Sequence, residues 1–281
     1  MTASRSAQYE TIVIRPRKGL APLDLKLLWQ FRDLLFAFAD RDIRLRYRQT
    51  ALGAAWVILQ PLLGASIFAI VFGVIAKMPS DGTPYFLISY TGFLGWSLFQ
   101  GVISRVTPSL VANASLIRKV FFPRLLVPLG VIPSVVLDFV VSLLVLVVLM
   151  VIYRITPNWG LALVPLAILI LLGLALGFGL AATSLAVRFR DVQHVAPFAV
   201  SLFMYASPVG YAVAAVPEHL RHLYLLLNPM AAPIDVIRWA FLGTEQPQFA
   251  YLATSALAAV LSVVVGLLVF HSAEREFADV I

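Results

Sequence analysis

The chain has 281 residues, of which 61% are hydrophobic and only 12% charged, where a soluble domain carries about 45–50% and about 25%. So few charges cannot solvate a globule of this size, which excludes an ordinary water-soluble enzyme and a disordered chain and leaves an integral membrane protein. The net charge of +7 therefore matters by its placement, and the absence of cysteine excludes a disulfide framework, a thiolate metal site and a cysteine nucleophile.

The first 50 residues are too charged for a secretory signal, and no small-residue cleavage site follows an apolar run. Residues 1–22 are expected to remain as a cytoplasmic segment. Within 23–40, Leu27, Leu28, Phe31, Leu34, Leu35 and Phe38 recur at helical spacing, while Lys26, Gln30, Asp33 and Asp40 share the other side. This pattern predicts an amphipathic helix in the cytoplasmic interface, or one packed on a soluble partner. Residues 41–281 are expected to form an all-α domain of six spans.

A span needs about 20 mainly apolar residues to cross about 30 Å of hydrocarbon. The stretches that qualify are 52–76, 85–103, a part of 125–153, a part of 159–187, about 192–215, and 250–270. Two exceed the bilayer width and should tilt or protrude. The second is rich in Gly, Ser and aromatics. With both ends inside, all but four of the 21 Lys and Arg residues face the cytoplasm; the exceptions are Lys77, Arg154, Arg221 and Arg238. Arg105, Arg118, Lys119 and Arg124 fall in the first inner loop, and Arg188 and Arg190 in the second. The reverse topology would invert this bias.

The segment 216–248, between spans five and six, is apolar in two pieces, 217–227 and 232–242, broken by Asn228-Pro229 and Pro233. Each piece is too short to span. They predict a re-entrant hairpin dipping in from the outer side, or a pair of surface-lying helices. Asp235 and Arg238, three apart, are expected to pair locally. Gly173 and Gly177 in span four, and Gly92 and Gly95 in span two, permit close helix contact, though ordinary glycine usage explains them equally.

The chain lacks a P-loop, a His-Glu-x-x-His motif and a Gly-x-Ser-x-Gly motif. His219 and His222 share a predicted helix face without a third ligand, so no metal site is expected. Asp138 is the one carboxylate clearly within a span. It must find water or a donor there, as a helix-packing contact or as the proton-relay group of an ion-coupled transporter. No acidic or metal-binding cluster supports an intramembrane glycolipid enzyme. These features predict a conduit without a motor of its own and without catalytic residues.

Residues 41–56 (RDIRLRYRQTALGAAW) with Gln60-Pro61-Leu62 resemble the entry to the first span of type-2 ABC export permeases, in the branch that exports O-antigen, capsule and teichoic-acid polymers. Residues 113–124 (NASLIRKVFFPR) resemble that family's first cytoplasmic loop, 188–192 (RFRDV) its second, Asn228-Pro229-Met230 its outer loop, and 277–280 (FADV) its tail. The resemblance runs from about residue 25 to the end, with five motifs in order. Short outer loops favour the polymer branch over a permease for a drug or another lipid.

The resemblance implies a homodimer in the bacterial cytoplasmic membrane with both termini inside. Each subunit would dock on a cytoplasmic ATPase that binds the ATP and Mg, with no cofactor in this chain. It further implies export of a lipid-linked glycan through a channel at the dimer interface. Residues 108–122 resemble the coupling helix, with Asn113, Ser115, Arg118 and Lys119 as polar contacts and Leu116, Ile117 and Phe121 as an apolar face. Arg44, Arg46 and Arg48, around Tyr47, suit a lipid phosphate at a lateral opening, because guanidinium donates bidentately to phosphate; anchoring to anionic headgroups needs the same residues. Phe68, Phe72, Tyr90, Trp96, Phe99 and Tyr205 are candidates to line the channel against sugar rings, while Tyr85 and Trp159 suit the interfacial belt.

Overall fold

A computed structural model describes residues 25–47, 55–80, 82–274 and 277, without the side chains of Leu25 and Tyr47. Every described element is helical. In chain order they are α1 (Leu25–Gln30), α2 (Arg32–Tyr47), α3 (Ala55–Phe68, running on as a π-helical stretch Ala69–Ile75), α4 (Tyr85–Ala112), α5 (Ala114–Lys119), α6 (Leu126–Tyr153), α7 (Val164–Arg188, led by a 3₁₀ turn Trp159–Leu163), α8 (Val192–Ala206), α9 (Glu218–Leu227), α10 (Ala231–Leu242) and α11 (Phe249–Ala273).

Among the described residues, five helices are long and apolar enough to cross a membrane: Ala55–Ile75, Tyr85–Ala112, Leu126–Tyr153, Trp159–Arg188 and Phe249–Ala273. They match five of the predicted spans. The fifth in order, α8, has 15 residues rather than the 24 expected. It stops because Ser207 precedes Pro208 and takes an extended backbone, φ −100° and ψ 154°, as the residue before a proline must. The chain then turns into α9.

Helix α4 stands at the centre, packed against α3, α6, α7, α8 and α10. That position explains its composition. A helix wrapped by protein need not present an apolar face to lipid, so Ser89, Thr91, Thr107 and Ser109 lie buried in it. Ser109 and Thr107 donate to carbonyls of the preceding turn. Helix α4 also runs nine residues past the predicted end at Ile103, because Arg105 is neutralised inside the bundle instead of marking its edge.

Helix α2 lies along α6. Gly130 of α6 allows it: a Cβ there would come 2.6 Å from Phe38 Cβ. The predicted stripe of Leu28, Phe31, Leu34, Leu35 and Phe38 thus packs on the chain's own third span and inner-end cluster, while Trp29, Phe36 and Leu45 remain exposed. The turn at Phe31 divides the predicted helix in two.

Among the described residues, α7 and α11 make the most extensive contact between helices. A Cβ on Gly177 would sit 2.2 Å from the Ser262 carbonyl carbon, and one on Gly266 would sit 2.3 Å from the Gly177 oxygen. The small-residue contact expected at Gly173 and Gly177 is therefore present, with Ala259 against Gly173. Gly177→Val is expected to force the backbones apart and destabilise the fold by about 3 kcal/mol, the upper range of overpacking, read as a lower melting temperature in detergent. Gly92 and Gly95 instead receive the Val209 carbonyl and Ile234, which belong to the turn after α8 and to α10.

Helices α9 and α10 are bent by 109° at Asn228-Pro229. The Asn228 side chain fixes the bend. Its Nδ2 donates to the Ala206 carbonyl and to Ser207 Oγ, both at 3.1 Å, and its Oδ1 accepts from the Met230 amide at 3.1 Å. Helix α10 is buried almost throughout, whereas α9 is largely exposed. The buried arm meets the rule that broken helices at membrane depth be surrounded by protein.

Candidate functional site

Asp138 of α6 is not a lone acid. Its Oδ2 accepts from both Arg46 of α2, at 2.9 Å, and Arg105 of α4. Arg105 also donates to Ser134 Oγ at 2.8 Å, and Ser134 in turn donates to Asp42 of α2. The cluster joins three helices. Arg105 had no expected partner because sequence placed it in the inner loop; burial down to 18% exposure at Arg105 and 14% at Asp138 is tolerable because charge is met by charge. At the cluster lies a cavity of about 230 Å³, walled by α3, α4 and α6 and by Arg46 of α2.

The three arginines proposed for a lateral opening part company. Arg44 is exposed and pairs with Asp40 at 2.8 Å, one turn back. Arg46 is turned inward to Asp138. Arg48 and the side chain of Tyr47 lie outside the described residues.

The coupling segment divides in the same way. Residues 108–112 belong to α4, and the inner loop proper is the short helix α5. Asn113 accepts from Arg41 Nη2 at 2.6 Å and donates to the Ser109 carbonyl at 2.8 Å. Ile117 is buried in a cluster with Phe38, Phe122, Phe270 and Phe277, and Leu116 packs against it. Ile117 therefore cannot belong to a docking face, because the six-residue helix rotates it into the chain's own core. The outward surface consists of Ser115, Arg118, Lys119, Val120 and Phe121. Val120 was missing from the sequence-based set; at 51% exposed beside Phe121 at 56%, it completes the apolar part.

Arg41 thus ties α2 to α5, and a Phe38–Phe122 ring contact at 5.7 Å adds a second link. The tail closes over the same cluster. Arg124 donates to the Glu274 carbonyl and lies over the Phe277 ring.

The aromatic candidates do not form one wall. Tyr90, Trp96 and Phe99 are core side chains of the protomer. Tyr90 donates to the Ser142 carbonyl at 2.9 Å, and Trp96 donates to Gln100 at 3.2 Å. Packed so, they line no channel. Phe68 and Phe72 stack 5.7 Å apart, and Phe68 meets Tyr205 at 6.1 Å. Of the set, Tyr205 is the exposed member, on the face of α8 that also carries Val195, Phe198 and Leu202. Trp159 packs edge-on against Trp239 at 4.9 Å, and Tyr85 donates to the Gly210 carbonyl at 2.8 Å.

At the other end, Arg238 is fully buried. It pairs with Asp235 at 3.4 Å, as the spacing predicted. It also donates to the carbonyls of Pro208 at 2.6 Å, Ile88 at 3.4 Å and Val209 at 3.5 Å. These further partners come from α4 and the turn after α8, and no local spacing could reveal them. His222 meets Tyr251 at 2.6 Å.

Residues 33–242 match the family described as ABC-2 type transporter. The chain is 29% identical over 253 residues to the O-antigen export system permease protein RfbA of Myxococcus xanthus, covering 90% of this chain and 96% of the relative. It is 29% identical over 254 residues to the RfbA permease of Klebsiella pneumoniae, covering 89% and 95%. The polysialic acid transport protein KpsM of Escherichia coli is 25% identical over 244 residues, covering 84% and 91%. With a match spanning well over half its length, including α2, the coupling segment and the bent pair, the chain belongs to the ABC-2 type transporter family.

Proposed function

We propose that the protein is the membrane subunit of an ATP-driven exporter of lipid-linked polysaccharide, working as a homodimer in the bacterial cytoplasmic membrane with both termini inside. The relatives' names, O-antigen export and polysialic acid transport, supply the substrate class. The observation that carries the mechanism is the exposed surface of α5 and the two residues after it, basic at Arg118 and Lys119 and apolar at Val120 and Phe121, following Asn113, which is bonded to α2. A separate ATPase, binding ATP and Mg, docks on that face. Its closure moves α5, and the Arg41–Asn113 bond and the Phe38–Phe122 contact pass the movement to α2. Helix α2 carries Arg46 at its far end, on the Asp138 cluster.

Deletion of the gene tests the substrate class. Lipid-linked glycan is expected to accumulate on the cytoplasmic side; absence of any such accumulation contradicts it. The transmission is tested separately. Arg41→Ala is expected to leave the ATPase bound and hydrolysing while export falls about tenfold, the cost of roughly 1.4 kcal/mol of lost coupling. Proportional loss of hydrolysis and export would show instead that α2 is not part of the relay.

A further inference from the structure

Helix α3 changes its winding before it ends. Gly64 and Gly73 both pack on α4: a Cβ on the first would come 2.6 Å from Phe93 Cε2, and one on the second 2.8 Å from Tyr85 Cγ. The two glycines are nine residues apart, about two and a half turns of α-helix, which would set them on opposite faces. Their contacts on α4, Tyr85 and Phe93, are only eight residues apart. The π-helical stretch Ala69–Ile75 absorbs the extra residue and brings both glycines to one side. Its wider winding shows in the Ala76 amide, which donates to the Val71 carbonyl, five residues back, at 2.9 Å. Such stretches are rare and concentrate at functional positions.

The winding is held from outside itself. No residue of the stretch is buried. Lys77, just beyond it, sits at φ 49°, the left-handed region that a residue with a Cβ keeps only under constraint. The constraint is a clamp on the turn that joins α8 to α9. The Phe68 and Phe72 rings lie parallel, 5.7 Å apart, and Gly210 fits against both: a Cβ there would come 2.3 Å from Phe68 and 2.8 Å from Phe72. Phe72 also meets Tyr211 edge-on at 6.2 Å, and Tyr85 donates to the Gly210 carbonyl. The same turn is bonded on its other side to the bent pair, by Asn228 at Ala206 and Ser207 and by Arg238 at Pro208.

Rewinding residues 69–75 as α-helix would turn everything beyond them by about one residue, roughly 100°. That rotation carries Phe72 away from Gly210 and Gly73 away from Tyr85, and relieves Lys77. We infer that the outer end of the first span is a two-register latch. Wound as a π-helix, it grips the turn at 207–211 and, through it, α9 and α10; wound as an α-helix, it lets the turn go. The latch rests on the winding alone and stands whatever the cargo is.

The chain has no cysteine, so a trifluoromethyl tag on Ile75→Cys, a position 72% exposed, is unique. Fluorine NMR of the full-length tagged permease in detergent then reports the register, as two lines or as one averaged line. Deleting Val71 leaves the glycines eight residues apart, so that a regular α-helix keeps both on α4 without a second register; this variant is expected to give one sharp line that marks the gripped position. Lys77→Gly removes the backbone constraint of the gripped state and is expected to raise its population about fivefold, moving the signal toward that line. Gly73→Ala sets a methyl group against Tyr85 only in the gripped state and is expected to move the signal the opposite way.

A fixed winding would leave the deletion and Lys77→Gly at the position of the parent tagged protein, and that result overturns the latch. Displacement by Lys77→Gly and Gly73→Ala in the same direction overturns it as well. If the Val71 deletion does not fold, the two point variants still decide by the sign of their displacements. No readout here involves transport, so a deletion strain that accumulates no glycan would refute the export reading and leave the latch intact.

Discussion

Replacing Arg238 with Met is expected to destabilise the protein by about 3–5 kcal/mol, the cost of breaking a buried ionic network by removing one partner. The side chain has no exposure and holds three elements at once. Its bonds run to Ile88 of α4, to Pro208 and Val209 in the turn after α8, and to Asp235 within α10. The turn cannot satisfy those carbonyls itself, since Ser207-Pro208 has already ended α8. Met fills a similar volume, so the loss comes from the stranded Asp235 carboxylate and unpaired carbonyls, not from a void. The measurement is thermal unfolding in detergent, with chymotrypsin cleavage after Tyr211 as a local probe. Asp235→Asn combined with Arg238→Met is expected to recover part of the loss, because the uncompensated charge is then gone. Full stability of the single variant would mean that the bent pair is held by apolar packing alone.

Phe121→Asp is expected to abolish association with the ATPase while leaving the permease inserted and folded. Phe121 is more than half exposed, and Val120 beside it extends the same apolar face. Burying a carboxylate against a partner's apolar surface without a counter-charge costs several kcal/mol, enough to remove a docking contact of moderate size. Arg118→Glu should act in the same direction through charge. The control is Ile117→Asp, which is expected to lower folded yield, because Ile117 packs with Phe38, Phe122, Phe270 and Phe277 in the chain's own cluster. Co-purification and size-exclusion profiles separate the two cases. Undiminished recovery of the ATPase with Phe121→Asp would place the docking surface elsewhere.

Much of the fold was legible because hydropathy and helical period are local properties. The long spans, the amphipathic stripe on Phe31, Leu34, Leu35 and Phe38, the break at Asn228-Pro229 and the glycine contact at Gly177 all announce themselves within a few residues. What sequence did not reveal depends on pairings across helices. Arg105 looked like a loop cation because its neutralising partner, Asp138, lies 33 positions on. Asp138 looked isolated for the same reason, and Arg46 looked free to meet lipid. Helix α8 was read through Ser207-Pro208 because the residues beyond are apolar, although the proline sets the stop. Tyr90, Trp96 and Phe99 suggested a channel by residue type, yet the central position of α4 buries them in the protomer. Ile117 and Phe121 looked equivalent in composition, but α5 turns Ile117 into the core, and the extended residue Val120 that ends it leaves Phe121 at the surface.

The central claim is that this subunit does no work of its own and is driven by a partner that grips α5. Reconstitution in vesicles tests it most directly, with the permease alone or together with its ATPase, following movement of a lipid-linked glycan across the bilayer. Net movement is expected only with the ATPase and hydrolysable ATP present, and it should stop when Phe121 is replaced by Asp. Uphill movement by the permease alone, driven by a proton or sodium gradient, would contradict the account.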